Sequence, residues 1–167
     1  HMAEEGQEEH ALRALHHDYD EGDAQAIAAL RTYLMETVEQ AYESFQQGRP
    51  EMDTAISKAN IRLQTQQVSF WLEYYGEVKV PVWKPLFLLG RAAHALQDSF
   101  AHTYRSEDTA TIYAVGNFVE AMSTTYDAAR DGPRHSDHID DCTLEAVAPL
   151  YDSAVLATRE LFLAARD

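Results

Sequence analysis

Apolar residues recur at spacings of three and four along much of the chain, which is the pattern of helices that bury one face. The clearest case is residues 24–47, where the apolar positions are Ile27, Leu30, Leu34, Val38, Tyr42 and Phe45. Similar spacing predicts five further helices, over residues 8–19, 51–75, 85–105, 107–130 and 143–166. With no interdomain linker between them, these elements predict a single all-α domain over residues 1–167, a bundle of about six helices.

Two segments break the helical pattern. Residues 77–85 read EVKVPVWKP, and their prolines and β-branched residues predict an extended crossover loop. Residues 131–140 read DGPRHSDHID and predict a polar loop. Gly48 is expected to end the helix over 24–47, with Pro50 in the first turn of the next one.

Composition narrows the range of partners. The chain has 28 acidic and 13 basic residues, a formal net charge of -15, which repels the phosphate backbone of duplex nucleic acid. No apolar run approaches the roughly 20 residues that span a bilayer, so no transmembrane segment is predicted. The single cysteine, Cys142, excludes an internal disulfide. His1 and Met2 are interpreted as the remnant of an expression tag.

The candidate chemistry lies in the predicted helix 85–105, where residues 89–102 read LGRAAHALQDSFAH. On a helical wheel His94, Asp98 and His102 fall on one stripe about 80° wide. Residues four apart can share one ion, whereas His94 and His102 are about 12 Å apart along a continuous helix. Either Asp98 bridges two ions that each bind one histidine, or the helix ends before His102. Histidine and carboxylate ligands favour zinc or iron over calcium or magnesium.

Two arginines leave the interpretation of this stripe open. Arg91 and Arg105 lie on the same side of the wheel as Asp98. The stripe is therefore also compatible with an ordinary polar helix face whose aspartate is flanked by arginines. The same guanidinium groups are equally suited to binding a phosphate beside a metal site.

The segment 89–102 resembles the signature helix of the zinc-dependent phospholipase C and single-strand-specific nuclease superfamily, and is closest to its HET-C-like branch. Residues 55–61 (AISKANI) and 117–120 (NFVE) resemble two further segments of these families. The resemblance implies an all-helical fold with a zinc cluster that cleaves phosphodiester bonds in phospholipids or nucleic acids. It implies His94 and Asp98 as metal ligands and His102 as a ligand of a further ion. It also implies a secreted or periplasmic protein.

The chain departs from that family at two places. The family has an aspartate after the position of Asn60, where this chain reads IRLQ over residues 61–64. A histidine and a glutamate are expected just before Asn117, where the chain has Ile112 and Gly116. We therefore expect one to two zinc ions rather than three.

Other histidines are candidates to complete the site. His135 and His138 in the polar loop are the leading ones, because a His-x-x-His pair can chelate one ion; the alternative is a solvated loop that caps the last helix. His10, His16 and His17 are interpreted as exposed histidines of a leader helix, although the resembling family takes ligands from its first helix.

The leading functional hypothesis is a metal-dependent phosphodiester hydrolase resembling phospholipase C, acting on a phospholipid or another phosphodiester. The metal would activate water beside Asp98, Arg105 or Arg91 would orient the phosphate, and Asp137 would assist proton transfer. The alternative hypothesis is a non-catalytic helical binding or scaffold domain with a degenerate metal site.

Overall fold

The computed structural model of the protein describes residues 6–14, 21–52, 65–117, 127 and 148–166. Within these ranges the chain contains a short 3₁₀ helix, three α-helices and two antiparallel sheets of two strands each. The 3₁₀ helix is Gln7–His10, and the other elements are α1 (Gly22–Met52), β1 (Thr65–Leu72), β2 (Gly76–Trp83), α2 (Lys84–Ala101), β3 (Thr103–Arg105), β4 (Ile112–Val115) and α3 (Ala148–Arg166).

The prediction of an all-α bundle of about six helices is wrong, because the described residues combine helices with paired strands. The largest error is in the predicted helix 51–75, whose residues 65–72 form β1. The apolar residues Val68, Phe70 and Leu72 alternate with the other positions of β1, which is the two-residue period of a strand. β1 pairs with β2 in a sheet. The helical spacing of three and four does not predict this pairing.

The sheet of β1 and β2 is a hairpin with a three-residue turn. In its register Val68 lies opposite Val80 and Phe70 opposite Val78. The backbone N–H of Tyr75 donates to the carbonyl of Leu72 over 3.1 Å and closes the turn. Gly76 follows with a φ of 69°, a left-handed conformation that glycine adopts without a steric cost. Residues 77–83 of the predicted crossover loop are therefore extended, as expected, but they form one strand of a sheet, and residues 84–85 begin α2.

The predicted helix 107–130 is also wrong over its described part. Residues 112–115 form β4, which pairs with β3 in register from Thr103 opposite Val115. Between the strands, the Asp108 carboxylate accepts hydrogen bonds from the Ser106 hydroxyl and the Ala110 N–H, which stabilises a turn instead of a helix.

The predicted helix 8–19 is wrong over its described part, which is the 3₁₀ helix Gln7–His10 followed by the non-helical residues 11–14. The three α-helices agree with the sequence in type. α1 continues through Gly48 and Pro50, where a break was expected. α2 ends at Ala101, four residues before the predicted end. α3 covers Ala148–Arg166, and residues 143–147 of the predicted helix lie outside the described residues.

The chain divides into two compact units, one formed by His1–Met35 with Ala92–Asp167 and the other by Glu36–Arg91. In the first unit Ala11, Leu30 and Ala95 form a buried cluster against which Tyr33 and Leu34 pack. In the second unit the rings of Phe45 and Trp83 are 6.2 Å apart at the base of the hairpin. No helix among the described residues is long and apolar enough to cross a bilayer.

Candidate metal centre

His10, His94 and Asp98 form a group that could hold a metal ion. The Nδ1 atom of His10 lies 3.0 Å from Oδ2 of Asp98, and Nε2 of His94 lies 3.2 Å from the same oxygen. The two ring nitrogens are 3.2 Å apart. Three potential ligand atoms therefore form a nearly equilateral triangle. His10 and Asp98 are largely buried, at 16% and 15% exposure of their side chains, whereas His94 is 49% exposed.

Hydrogen bonds alone cannot satisfy all three sides of this triangle. A carboxylate oxygen only accepts, and a ring nitrogen either carries a proton or presents a lone pair. If one nitrogen is protonated, the lone pair of the other faces the carboxylate. If both are protonated, both N–H groups can donate to Oδ2 of Asp98, and the two nitrogens, 3.2 Å apart, then have no hydrogen bond between them. Hydrogen bonds thus account for at most two sides of the triangle, both to Asp98, whereas a cation would accept lone pairs from all three atoms.

The size of the triangle also fits a small divalent cation. Zinc binds histidine nitrogen and carboxylate oxygen at about 2.0–2.2 Å, so two ligands of a tetrahedral ion lie roughly 3.3 Å apart. The observed separations of 3.0 and 3.2 Å come within a few tenths of an ångström of that distance. Two histidines and one carboxylate on one face of an ion are also the ligand set of non-haem iron sites.

Small side chains bring His10 to α2. Ala95 has no exposed surface, and it belongs with Leu30 to the same buried cluster as Ala11, the residue after His10. Ala11 has a φ of 51°, a left-handed conformation that costs a non-glycine residue of the order of 1 kcal/mol. This conformation turns the backbone at the end of the 3₁₀ helix. The side chain of His10 then lies against the helical pair His94 and Asp98.

Backbone hydrogen bonds hold the segment that carries His10. The N–H of Arg13 donates to the carbonyl of Gly116 over 3.0 Å, and the N–H of Gly116 donates to the carbonyl of His102 over 2.8 Å. Arg13 and Asn117 form an isolated parallel bridge. The amino-terminal segment is therefore attached to the chain that follows α2.

Arg13 attaches the same segment to the start of α1. Its guanidinium lies so close to Gly22 that a Cβ atom at that position would collide with it. It also lies 3.7 Å from the carboxylate of Asp23, which accepts the N–H of Val115 over 2.9 Å. Glycine at position 22 is thus required for this close approach.

His102 lies one residue beyond the end of α2, the arrangement in which the helix stops before it. Its N–H still donates to the carbonyl of Asp98. Its Nδ1 lies 2.6 Å from the carbonyl oxygen of His10 and 3.9 Å from Oδ2 of Asp98. Because a carbonyl only accepts, Nδ1 carries the proton, and a neutral His102 has its lone pair on Nε2. This atom is the one through which His102 could bind a cation.

Arg105, the last residue of β3, is bound to the end of α2, to β3 itself and to the turn that follows. Its guanidinium donates to the carbonyls of Ser99 and Thr109, and Nε donates to the Thr103 hydroxyl. The guanidinium carbon also lies 4.2 Å from the centre of the Phe100 ring. Partial burial lowers the pKa of Arg105 from its ordinary value, because desolvation disfavours the charged form. These contacts hold the turn after α2.

The structure brings together two of the predicted site residues, His94 and Asp98, with His102 beside them. Asp137, His135 and His138 lie outside the described residues. His10 belongs to the group although it was interpreted as an exposed histidine. Spacing along one helix cannot reveal a partner 84 residues away, and the one pointer to His10 was that the resembling family takes ligands from its first helix.

Comparisons with models of protein families, with curated proteins and with solved structures give no match to this chain. The family resemblance therefore depends on the motif in α2 and on the residues that surround it.

Proposed function

We propose that the protein is a zinc-dependent phosphodiester hydrolase resembling phospholipase C. One observation supports this proposal more than any other: His10, His94 and Asp98 place three ligand atoms 3.0–3.2 Å apart, close to the separation of two ligands on a tetrahedral zinc ion. Zinc is the preferred ion because it takes histidine and carboxylate ligands and because the motif in α2 resembles that of a zinc-dependent family.

The residues divide the work of such a site. Asp98 supplies negative charge, and its position four residues after His94 lets both act from one turn of α2. His10 supplies the third ligand from a separate segment. His102 orients His10 by donating to its carbonyl. The partial exposure of His94 leaves one side of the group accessible to a substrate.

A zinc ion in this group would lower the pKa of a bound water toward 7 and neutralise charge on phosphoryl oxygens. In the overall reaction, the water oxygen bonds to phosphorus, the bond from phosphorus to the leaving oxygen breaks, and a proton passes to that oxygen. The acidic chain disfavours duplex nucleic acid as the substrate, so we favour a phospholipid or another small phosphodiester.

The test combines metal analysis with hydrolysis of bis(p-nitrophenyl) phosphate and of phosphatidylcholine. The purified chain should bind one zinc ion in the group, in preference to iron(II) under anaerobic competition. Asp98→Asn keeps the shape but removes the charge, so it should lose the metal and at least about 100-fold of the hydrolysis rate. The control Asp152→Asn, at an exposed position of α3, should keep both. A chain that binds no stoichiometric metal, or an active Asp98→Asn variant, contradicts the proposal.

A non-catalytic binding domain is the second candidate. It is favoured by the tethering contacts of the group, because Asp98 and His102 both bind His10 and thereby hold the amino-terminal segment on α2. If these contacts are only structural, removal of metal with a chelator leaves the melting temperature unchanged. A melting temperature that falls on chelation and recovers with zinc contradicts this second candidate.

A further inference from the structure

The hairpin of β1 and β2 carries the most exposed large apolar side chains of the described residues. Tyr74, Tyr75 and Trp71 are exposed by 86%, 79% and 78%. Tyr74 and Tyr75 lie in the turn and Trp71 lies near the end of β1, so all three are within five consecutive residues, and we call them the aromatic tip. Large aromatic side chains are otherwise found mainly in cores and interfaces, so this concentration at one turn indicates a surface that contacts a partner.

Apolar surface continues from the tip along one face of the hairpin. Phe70, Leu72 and Val80 are each at least 40% exposed. Residues two apart on a strand, and residues opposite each other in the register, share one face of a sheet. Phe70, Leu72 and Val80 therefore form one apolar surface behind the aromatic tip.

The charge of the hairpin limits what this surface can bind. Residues 65–83 contain only Glu73, Glu77 and Lys79 as charged groups, a net charge of -1 by two acidic and one basic residue. The whole chain has a net charge of -15, so an anionic surface would repel it. An electrically neutral partner matches the hairpin and avoids that repulsion.

We propose that the hairpin docks on a zwitterionic phospholipid surface, with the aromatic tip in the headgroup layer. Tryptophan and tyrosine combine an apolar ring with a polar atom and are enriched at the boundary between water and lipid. Interfacial elements are buried by about 5–10 Å, and two residues of a strand span about 7 Å. Insertion to that depth covers the tip, Leu72 and the pair of Phe70 with Val78.

The extent of the surface favours lipid over a protein partner. A stable protein interface uses about 20–30 residues on each side. The exposed apolar surface here has six residues, of which two are in the turn itself. A bilayer needs no matching shape, so a small aromatic tip is sufficient. None of His10, His94 and Asp98 lies in the hairpin, so this docking does not rest on the proposed hydrolysis.

The first experiment measures the fluorescence emission of Trp71 in the full chain. The protein has two tryptophans, and Trp83→Phe leaves Trp71 as the only one. On titration with phosphatidylcholine vesicles, the emission of Trp71 should shift to shorter wavelength, and brominated acyl chains should quench it. Phosphatidylserine vesicles should produce a weaker response. An emission spectrum that does not change with phosphatidylcholine would overturn the proposal.

The second experiment measures partition onto sedimented vesicles. Trp71→Gln combined with Tyr75→Gln should lower the partition coefficient at least about tenfold, because two buried side chains are lost. Tyr113→Gln is the matched control, since Tyr113 is 69% exposed outside the hairpin, and it should bind as the parent does. Equal losses of partition in both variants would contradict the assignment. It would also be contradicted if the parent bound no vesicles and the hairpin variant differed from it only in oligomeric state.

The proposed hydrolysis and the proposed lipid docking can be contradicted independently of each other. Asp98→Asn should bind vesicles as the parent does, because its side chain lies outside the hairpin. A chain that binds vesicles but hydrolyses no phosphodiester would contradict only the proposed function. A chain that hydrolyses a soluble phosphodiester but binds no vesicle would contradict only the docking.

Discussion

The metal centre buries polar side chains, whereas the hairpin exposes apolar ones. At the metal centre, His10 and Asp98 are polar and yet only 16% and 15% exposed. At the hairpin, Trp71 and Tyr74 are aromatic and yet 78% and 86% exposed. The first region withdraws polar ligand atoms from water, and the second presents apolar rings to it. Both depart from the usual distribution of polar and apolar residues, which is why both are candidates for function.

The physical cause differs between the two regions. The small side chains of Ala11 and Ala95 permit the amino-terminal segment to lie directly on α2, so burial of the histidine follows from close packing. The hairpin has two strands, and neither face of so small a sheet can be fully covered by its own residues. At the metal centre, neighbouring residues therefore bury the polar ligands. At the hairpin, a sheet of only two strands leaves the aromatic side chains exposed.

The largest expected effect tests whether His10 is a ligand or only a neighbour of the pair on α2. We expect His10→Ala to lower zinc affinity by roughly 100-fold or more, because two ligands then remain. Competition with a chromophoric chelator measures this. Gln97→Ala is the control, since Gln97 lies on α2 and contacts Thr158 instead of the group. Equal zinc affinity in His10→Ala and the parent would mean that His10 is not a ligand and that only His94 and Asp98 of the group bind the ion.

Overpacking the alanine contact tests whether burial positions the ligand. Ala95→Leu inserts three carbon atoms at a fully buried position, so we expect a loss of about 1–3 kcal/mol in the free energy of unfolding. Zinc affinity should fall roughly tenfold as well, because Ala11 and His10 must move. Denaturant titration and chelator competition measure the two effects. Ala164→Leu, at an exposed position of α3, should change neither.

Arg105 separates a structural role from a role in phosphate binding. Arg105→Lys cannot reproduce the contacts with Ser99, Thr103 and Thr109, so we expect a loss of about 1–3 kcal/mol in stability. Because the guanidinium is bound to the end of α2, to β3 and to the turn after it, the Michaelis constant for a phosphodiester should stay unchanged at temperatures where the variant is folded. A raised Michaelis constant with unchanged stability would instead support the role in orienting phosphate.

Two glycine substitutions, one at the turn of the hairpin and one in α2, are expected to change the stability in opposite directions. Gly76→Ala places a side chain at a φ of 69° and should cost about 1 kcal/mol, weakening the support of the aromatic tip. Gly90→Ala in α2 meets no neighbouring atom within 4 Å and should stabilise the chain by up to about 1 kcal/mol. Thermal unfolding of both variants measures the difference, and equal shifts would contradict the assigned turn geometry.

The smallest expected effect depends on pH at the exposed loop after β3. The Ser106 hydroxyl and then the Ala110 N–H lower the pKa of Asp108 below its ordinary value of 3.8. A lowered folded pKa means that the carboxylate stabilises the fold above pH 3.8 and loses this contribution as the pH falls through the folded pKa. The stability difference between the parent and Asp108→Asn should therefore be larger at pH 7 than at pH 3. A difference independent of pH would contradict the hydrogen bonds.

The sequence indicates the helices better than the strands. The long apolar stripe of α1 and the motif of α2 predict both elements, because the spacing of three and four is strong over many residues. The strands were missed because β1 has only eight residues and its apolar positions also fit a helical spacing when the partner strand is unknown. Local pattern does not contain the pairing of Phe70 with Val78.

The candidate site shows the same division. His94 and Asp98 could be recognised because they are four residues apart on one helix. His10 could not, because its position depends on the turn at Ala11, the packing on Ala95 and the hydrogen bond from His102. None of these contacts has a signature in local spacing.

The amino-acid sequence by itself determined the acidic charge, the helical character of α1 and α2, and the one-turn spacing of the pair on α2. These are properties of composition and of a local period, which a single segment already contains. Tertiary structure alone decided that a histidine from the amino terminus joins that pair and that aromatic rings occupy the turn of a hairpin. Both outcomes require segments far apart in the chain to pair or pack, and that information is distributed over all of the contacts that hold them together.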